Sequence, residues 1–182
     1  MKIIDDFLPS EQLKTLQDTI IFGNTFPFYL SSHLNNNDTE SDFWEWYGYH
    51  LIYNTPHEHI YHHVIVNQMG KGRVGINERS YHNLVWNEIF SKKIDVKKLL
   101  RIKANFYPHT ETVKEHTSHV DYDFSHAGAV YSLNTCDGYT RIGEEVVESI
   151  ENRMVFFDAS ELHNSTTTSN AKGRFNINFN FL

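Results

Sequence analysis

The second half of the chain alternates. "RIKANFY", residues 101–107, sets Ile102, Ala104 and Phe106 on one side and Lys103, Asn105 and Tyr107 on the other. "GAVYSLN", "RMVFFD" and the closing "GRFNINFNFL" follow, separated by turn signals such as Asp137-Gly138. Successive side chains of a strand point to opposite faces, so short alternating runs at this spacing predict a β-sandwich or barrel. In the last run Phe175, Ile177, Phe179 and Phe181 face one way, and Arg174, Asn176, Asn178 and Asn180 face the other. That polar face is either wetted by solvent or lines an internal cavity with the arginine as its anchor. Alternation by itself favours solvent, because antiparallel sheets commonly show one face to water.

The first half carries helical patterns. "LPSEQLKTLQDTIIF" places Leu13, Leu16 and Ile20 on one face, with Ser10 as the expected cap, Glu11 in the first turn and Gly23 as the stop. Residues 24–45 read as an irregular polar loop, and "WEWYGYHLIY" as an aromatic strand. "TPHEHIYHHVIVNQMGKG" predicts a well-delimited helix: Thr55 and Glu58 make a capping box, Pro56 sits at the first helical position and Gly70 ends it. A short helix is expected around Asn83 to Phe90. Helices first and strands later predict an α+β chain, with the helices against one outer face of a sandwich. The Trp44-Glu45-Trp46 segment reads as a core strand in preference to a lid.

Totals narrow the function classes. A chain of 182 residues fits one domain with a full core. A net charge of -7 makes nucleic acid an improbable partner, since binding it needs a basic face. The lone cysteine, Cys136, forbids an internal disulfide and predicts a reducing, cytoplasmic setting, with the thiol as a small buried residue. The start has no signal-peptide pattern, and no run approaches the ~18 apolar residues of a membrane span. Nothing in the sequence specifies an oligomeric state.

Twelve histidines invite a metal reading. His57, His59, His62 and His63 share the expected helix; His59 and His63 could chelate, but without a third ligand they read as a solvated face. His119 and Asp121 flank one residue and so project side by side from an extended segment. Alone they would read as a hydrogen-bonded surface pair. His163, at the end of "RMVFFDASELH", changes that reading. Two imidazoles and a carboxylate leave three positions of an octahedral ion open, the facial arrangement of non-haem Fe(II) oxygenases. Zinc ranks second, as it favours four-ligand sites with at most one open position. Arg174, one strand later, offers a fixed fork of donors for the far carboxylate of a dicarboxylate co-substrate.

This order of His-x-Asp, distal His and Arg resembles the 2-oxoglutarate- and Fe(II)-dependent dioxygenases, and more narrowly their prolyl-4-hydroxylase-like branch. "DDFLPSEQLKTL", "NFYPHTETVKEHTSHVD", "AVYSLN", "DGYT" and "ENRMVFFDASELH" each resemble a piece of that branch. The resemblance covers residues 101–182 well and the start moderately; residues 24–100 match little. It implies a single-domain double-stranded β-helix of the jelly-roll or cupin type, with residues 1–100 as helical support and peripheral strands and 101–182 as the metal and co-substrate half. It further implies Fe(II) on His119, Asp121 and His163, and 2-oxoglutarate, O2 and optional ascorbate as cofactors. Arg174 would take the far carboxylate of 2-oxoglutarate with Tyr107 assisting, and Asn176, Asn105 and Ser132 would line the same face. Ser132 departs from the pattern: it stands where many relatives place a co-substrate-binding tyrosine. Tyr122, Asp123, Tyr139 and Arg141 adjoin the motifs and are candidate substrate-rim residues, each also readable as surface or packing. The implied activity is oxidative decarboxylation of 2-oxoglutarate coupled to hydroxylation of a C–H bond in a peptidyl, prolyl or small amino-acid-like substrate. The alternatives are a non-catalytic jelly-roll binding module, which needs neither the trio nor Arg174, and a zinc hydrolase on a cupin-like barrel.

Overall fold

The computed structural model describes residues 1–31, 46–55 and 80–182. Among these, the strands are β1 (Lys2–Ile4), β2 (Tyr29–Ser31), β3 (Tyr47–Asn54), β4 (Leu99–Pro108), β5 (Ala127–Ser132), β6 (Tyr139–Ile142), β7 (Glu145–Glu148), β8 (Met154–Asp158), β9 (His163–Ser165) and β10 (Gly173–Phe181). They form a seven-stranded sheet in the order β1-β8-β5-β10-β4-β3-β2 and a three-stranded sheet in the order β7-β6-β9. Every pairing between these strands is antiparallel. Isolated bridges from Glu115 to Thr166 and from His119 to His163 extend the small sheet by one irregular segment. The result is a jelly roll, the double-stranded β-helix expected from the sequence.

The alternation in β10 organises the layers. Its apolar face, Ile177, Phe179 and Phe181, is buried against helix α1 (Ser10–Ile20) and the helical segment Asn83–Ile89, which runs into the turn Phe90–Lys92. Leu13, Leu16 and Ile20 of α1 meet Val85, Ile89 and Phe90 over this face, and the Phe90 and Phe179 rings lie 4.7 Å apart. Each such side chain contributes about 1.5–3 kcal/mol on burial, so this stripe clamps the helices to the outer face of the large sheet. A second apolar cluster fills the space between the sheets: Val130, Ile142, Val147, Val155, Phe157 and Ala159.

Three local details differ from expectation. Helix α1 begins one residue earlier than a Ser10 cap implies: Pro9 is the cap, with ψ 144°, and its carbonyl accepts from the amides of Gln12 and Leu13. The Asn83–Ile89 segment is wound in wide, π-type turns. The chain also starts with a strand, β1, on the edge of the large sheet beside β8. The expected helix after Thr55, with its four histidines, lies outside the described residues, as does the stretch 32–45 with Trp44 and Glu45. Thr55 itself ends β3, where its hydroxyl donates to the Leu99 carbonyl.

Candidate metal centre and co-substrate pocket

The polar face of β10 is buried as well. Arg174, Asn176 and Asn180 are each 1% exposed, so this face lines the inside of the roll. It faces the polar side of β4 in four cross-strand pairs: Arg174 with Tyr107, Asn176 with Asn105, Asn178 with Lys103, and Asn180 with Arg101. Ser132 lies opposite Asn176 on the other flank, in β5.

At one end of this ladder the metal-binding candidates converge. His119 and His163 form a mutual backbone pair, with N–H to O distances of 2.9 and 3.0 Å. This brings residues far apart in sequence side by side. One ligand atom from each of His119, Asp121 and His163 lies within 4.8 Å of the others. Asp121 approaches the Nε2 atoms of His119 and His163 at 4.0 and 3.7 Å. The other ring nitrogens are turned to backbone carbonyls: Nδ1 of His163 lies 2.8 Å from Glu161, and that of His119 3.4 Å from Thr117. A proton on Nδ1 leaves the Nε2 lone pair for a metal.

Electrostatics prepare His119 and Asp121 for a cation. Burial pushes His119 down to about 4, against the opposing pull of Asp121, so its imidazole is neutral near pH 7. Burial resists the charge on Asp121, but Arg101, the His163 hydrogen bond and Lys103 outweigh it and hold the carboxyl well below the usual range. Neutral imidazoles and an ionised carboxylate are the ligand states that divalent metals require. Arg101 donates to Asp121 Oδ1, Asn180 Nδ2 donates to Oδ2 at 2.9 Å, and Arg101 Nε donates to Asn180 Oδ1 at 3.0 Å. The guanidinium of Arg101 rests 5.4 Å over the Tyr122 ring.

At the other end lies Arg174. Its guanidinium stands 5.3 Å over the Tyr107 ring, and Nη2 donates to Thr140 Oγ1 at 2.6 Å. Nη1 reaches the Thr166 carbonyl at 3.5 Å, and Nε is buried with no acceptor. Among the described residues no carboxylate pairs with Arg174. A buried charge without a counter-ion is costly, and a native fold rarely keeps one without a use. Gly138 makes room for it: a Cβ there would stand 2.8 Å from Arg174 Cδ and 2.6 Å from the Thr167 carbonyl oxygen.

The rim candidates separate. Tyr122 is buried beside the trio through Arg101, while Asp123 is exposed. Tyr139 and Arg141 alternate with the buried Thr140 and Ile142, so they occupy the outer face of the small sheet. There they bind Glu115: Tyr139 donates to Oε1 at 2.5 Å and Arg141 Nη2 at 2.6 Å, which hold the Glu115 carboxyl down at about 2. Thr166 lies outside the motifs visible in the sequence, Arg101 and Thr140 carry no role in theirs, and Gly138 is visible there only as a turn residue. For Arg101 the signal was present, because it shares the parity of Lys103, Asn105 and Tyr107 along β4.

Solved structures share this architecture at low identity. A prolyl hydroxylase from Trichoplax adhaerens, in complex with a hypoxia inducible factor oxygen degradation domain peptide fragment, aligns over 99% of this chain and 82% of its own, with TM-score 0.57 and 16% identity. A Pseudomonas putida prolyl-4-hydroxylase aligns over 99% of this chain and 91% of its own, with TM-score 0.53 and 13% identity. An oxidoreductase of the 2OG-Fe(II) oxygenase family from Burkholderia pseudomallei aligns over 98% and 83%, with TM-score 0.57 and 10% identity. No protein-family model and no curated protein matches the chain. The chain has the fold of the 2-oxoglutarate- and Fe(II)-dependent oxygenases, and within it resembles the prolyl-hydroxylase-like branch.

Proposed function

We propose that this protein is a non-haem Fe(II) oxygenase that couples oxidative decarboxylation of 2-oxoglutarate to hydroxylation of a C–H bond. The observation that carries the proposal is Arg174: a fully buried guanidinium, without a carboxylate partner among the described residues, on the same inward polar face of β10 as Asn180, which holds Asp121 of the His-Asp-His trio. The required anion comes with the co-substrate. His119, Asp121 and His163 would hold Fe(II); bound there, the metal with 2-oxoglutarate supplies the activation of dioxygen. Arg174 binds and orients the far carboxylate, and Tyr107 forms the wall beneath it. Burial raises the Tyr107 pKa, against the opposing influence of Arg174, so its hydroxyl remains a donor. Asn105 donates to Asn176 at 2.9 Å, and with Ser132 this pair forms the floor between the two ends. Arg101 and Asn180 keep Asp121 ionised and oriented. The apolar cluster between the sheets keeps water from the adjoining flank.

The substrate is proposed to be a peptide or a small amino-acid-like molecule. The Trichoplax enzyme was solved with a peptide, and the negative net charge speaks against nucleic acid. Residues 101–182 form the metal and co-substrate half of a single catalytic domain. The test is anaerobic addition of Fe(II) and 2-oxoglutarate, with a weak visible charge-transfer band expected in wild type and absent in His119→Ala. A peptide and amino-acid panel, read by succinate release and a gain of one oxygen atom, then identifies the substrate. A protein that forms no band and turns over a substrate with zinc and no O2 would instead be a hydrolase.

A further inference from the structure

Three of the four cross-strand pairs inside the roll have a task. Tyr107 and Arg174 pack together over Thr140; Asn105 and Asn176 bond each other; Arg101 and Asn180 hold Asp121. The fourth pair, Lys103 with Asn178, has neither a hydrogen bond between its members nor an ion pair among the described residues. Lys103 makes no ion pair among the described residues, and its ammonium stands 5.5 Å over the Tyr47 ring. Asn178 Oδ1 is buried without a hydrogen-bond partner. The carboxylate that acts on Lys103 is Asp121, whose two oxygens are already engaged by Arg101 and Asn180. Lys103 is therefore a second, half-buried cation on this polar face with no counter-ion of its own among the described residues.

Its position is defined by register. The pair stands one step from Arg101–Asn180 under the metal trio, and two steps from Tyr107–Arg174. A step of two residues along a strand is about 6.6 Å. Lys103 is near enough to the trio for its charge to act on both Asp121 and His119. Burial lowers its pKa to about 8, which leaves it mostly protonated at pH 7. The Asn178 amide can present its NH2 group to an anion beside it after rotation about its last bond.

We infer that Lys103 and Asn178 form a second carboxylate subsite, at the metal end of the cleft, distinct from the one at Arg174. This inference rests on the oxygenase reading above. The carboxylate has two sources: the keto-acid end of 2-oxoglutarate, or an acid group on the substrate to be hydroxylated. Two cations spaced along one cleft match a dianion lying between them, so the keto-acid end is the favoured occupant. Lys103 is then a co-substrate-binding residue, and the lysine charge offsets the negative charge that the keto acid brings to the trio.

The test is anaerobic calorimetry on the full chain loaded with Mn(II), titrated with 2-oxoglutarate and with pyruvate, a keto acid that lacks the far carboxylate. Arg174→Met should weaken 2-oxoglutarate and leave pyruvate unchanged. Lys103→Met should weaken both by about 10–100-fold, as expected for loss of a charged hydrogen bond. Lys103→Arg, which retains the charge and guards against a folding artefact, should stay within a few-fold of wild type. If Lys103→Met alters neither keto acid but abolishes binding of propionate to the Mn(II)–2-oxoglutarate complex, the subsite stands and its occupant is the substrate's acid group. If Lys103→Met changes none of the three titrations while Arg174→Met weakens 2-oxoglutarate, the inference is overturned and the oxygenase reading survives. If Arg174→Met also has no effect, the oxygenase reading falls with it.

Discussion

Replacing Arg174 by methionine separates a binding role from a structural one, because the two roles predict opposite signs. The side chain is 1% exposed and its neutral contacts are one hydroxyl and one carbonyl. In the ligand-free protein, a buried ion without its partner costs several kcal/mol, whereas the one short hydrogen bond, to Thr140, returns about 1.5–3 kcal/mol and the 3.5 Å contact to Thr166 little. Methionine follows the same path with no charge to desolvate. Arg174→Met should therefore leave the ligand-free protein as stable as wild type, or more so. Its effect appears when 2-oxoglutarate is added. Loss of a charged, buried contact raises the dissociation constant on the order of 100-fold. At a 2-oxoglutarate concentration of about 100 times the wild-type Kd, linkage stabilises wild type by ~2.7 kcal/mol and the variant by only ~0.4 kcal/mol. For a chain of this length each kcal/mol moves Tm by roughly 2–4 °C, so a wild-type shift of about 5–11 °C should shrink to about 1 °C. Thermal unfolding with Mn(II), without oxygen, across a 2-oxoglutarate series reads both quantities. A variant that loses several kcal/mol without ligand yet keeps the full ligand-induced shift would show that Arg174 is a packing residue, and the argument from its missing counter-ion would be wrong.

Other outcomes follow from the same geometry. Asp121→Asn should lower Mn(II) affinity by more than about 100-fold, beyond the roughly 10–100-fold cost of losing a ligand's supporting partner, while Arg101→Met should fall within that range; calorimetric metal titration decides, and an unaffected Arg101→Met would deny it the role of orienting Asp121. Gly138→Ala would place a methyl 2.6 Å from the Thr167 carbonyl oxygen and 2.8 Å from Arg174 Cδ, so 2-oxoglutarate affinity should drop with metal affinity retained. Equal loss of both would mean that the turn has collapsed. Asp137 supports that turn: burial raises its pKa, but hydrogen bonds from Ser169 and Thr168 outweigh this and bring it to about 2. A carboxyl depressed below its unfolded value of ~3.9 favours the folded state above that pH and loses this contribution as pH falls towards 2. Because Asp137 is exposed, solvent screening limits the effect to below about 1 kcal/mol. The stability difference between wild type and Asp137→Asn in urea should narrow between pH 5 and pH 2.5, and a constant difference would contradict the assignment.

What could be read from the sequence was local. Alternation in residues 101–107 and 173–182 specifies which side chains share a face, and the structure places Ile177 and Phe179 in the core beneath the helices as that pattern requires. The His-x-Asp spacing and the distal histidine were likewise visible as motifs, but His119 makes only an isolated bridge and Asp121 sits at a bend, so it is the pairing of His119 with His163 that brings the three together. Features that depend on partners distant in sequence were not visible. Arg101 reads as one more residue on the polar face of β4, and its role shows only when Asp121 and Asn180 are brought to it. Arg141 and Tyr139 read as rim candidates in a sequence that does not show Glu115 binding both of them on the outer face of the small sheet. Ser10 resembles a cap by type, but the extended backbone of Pro9 moves the helix start.

The polar face of β10 combines both kinds of information. Period two shows that Arg174, Asn176, Asn178 and Asn180 travel together; only closure of the roll decides that Arg174, Asn176 and Asn180 are dry and Asn178 half-buried. Once they are dry, each polar atom must be satisfied. Asn176 and Asn180 find partners within the protein, and Arg174 and Lys103 do not find an anion among the described residues. A polar face that keeps a buried and a half-buried cation without a carboxylate of their own, and leaves the Asn178 and Asn105 carbonyl oxygens unpaired, is organised around an anion supplied from outside, and the His-Asp-His trio at one end of that ladder gives the anion a metal to meet.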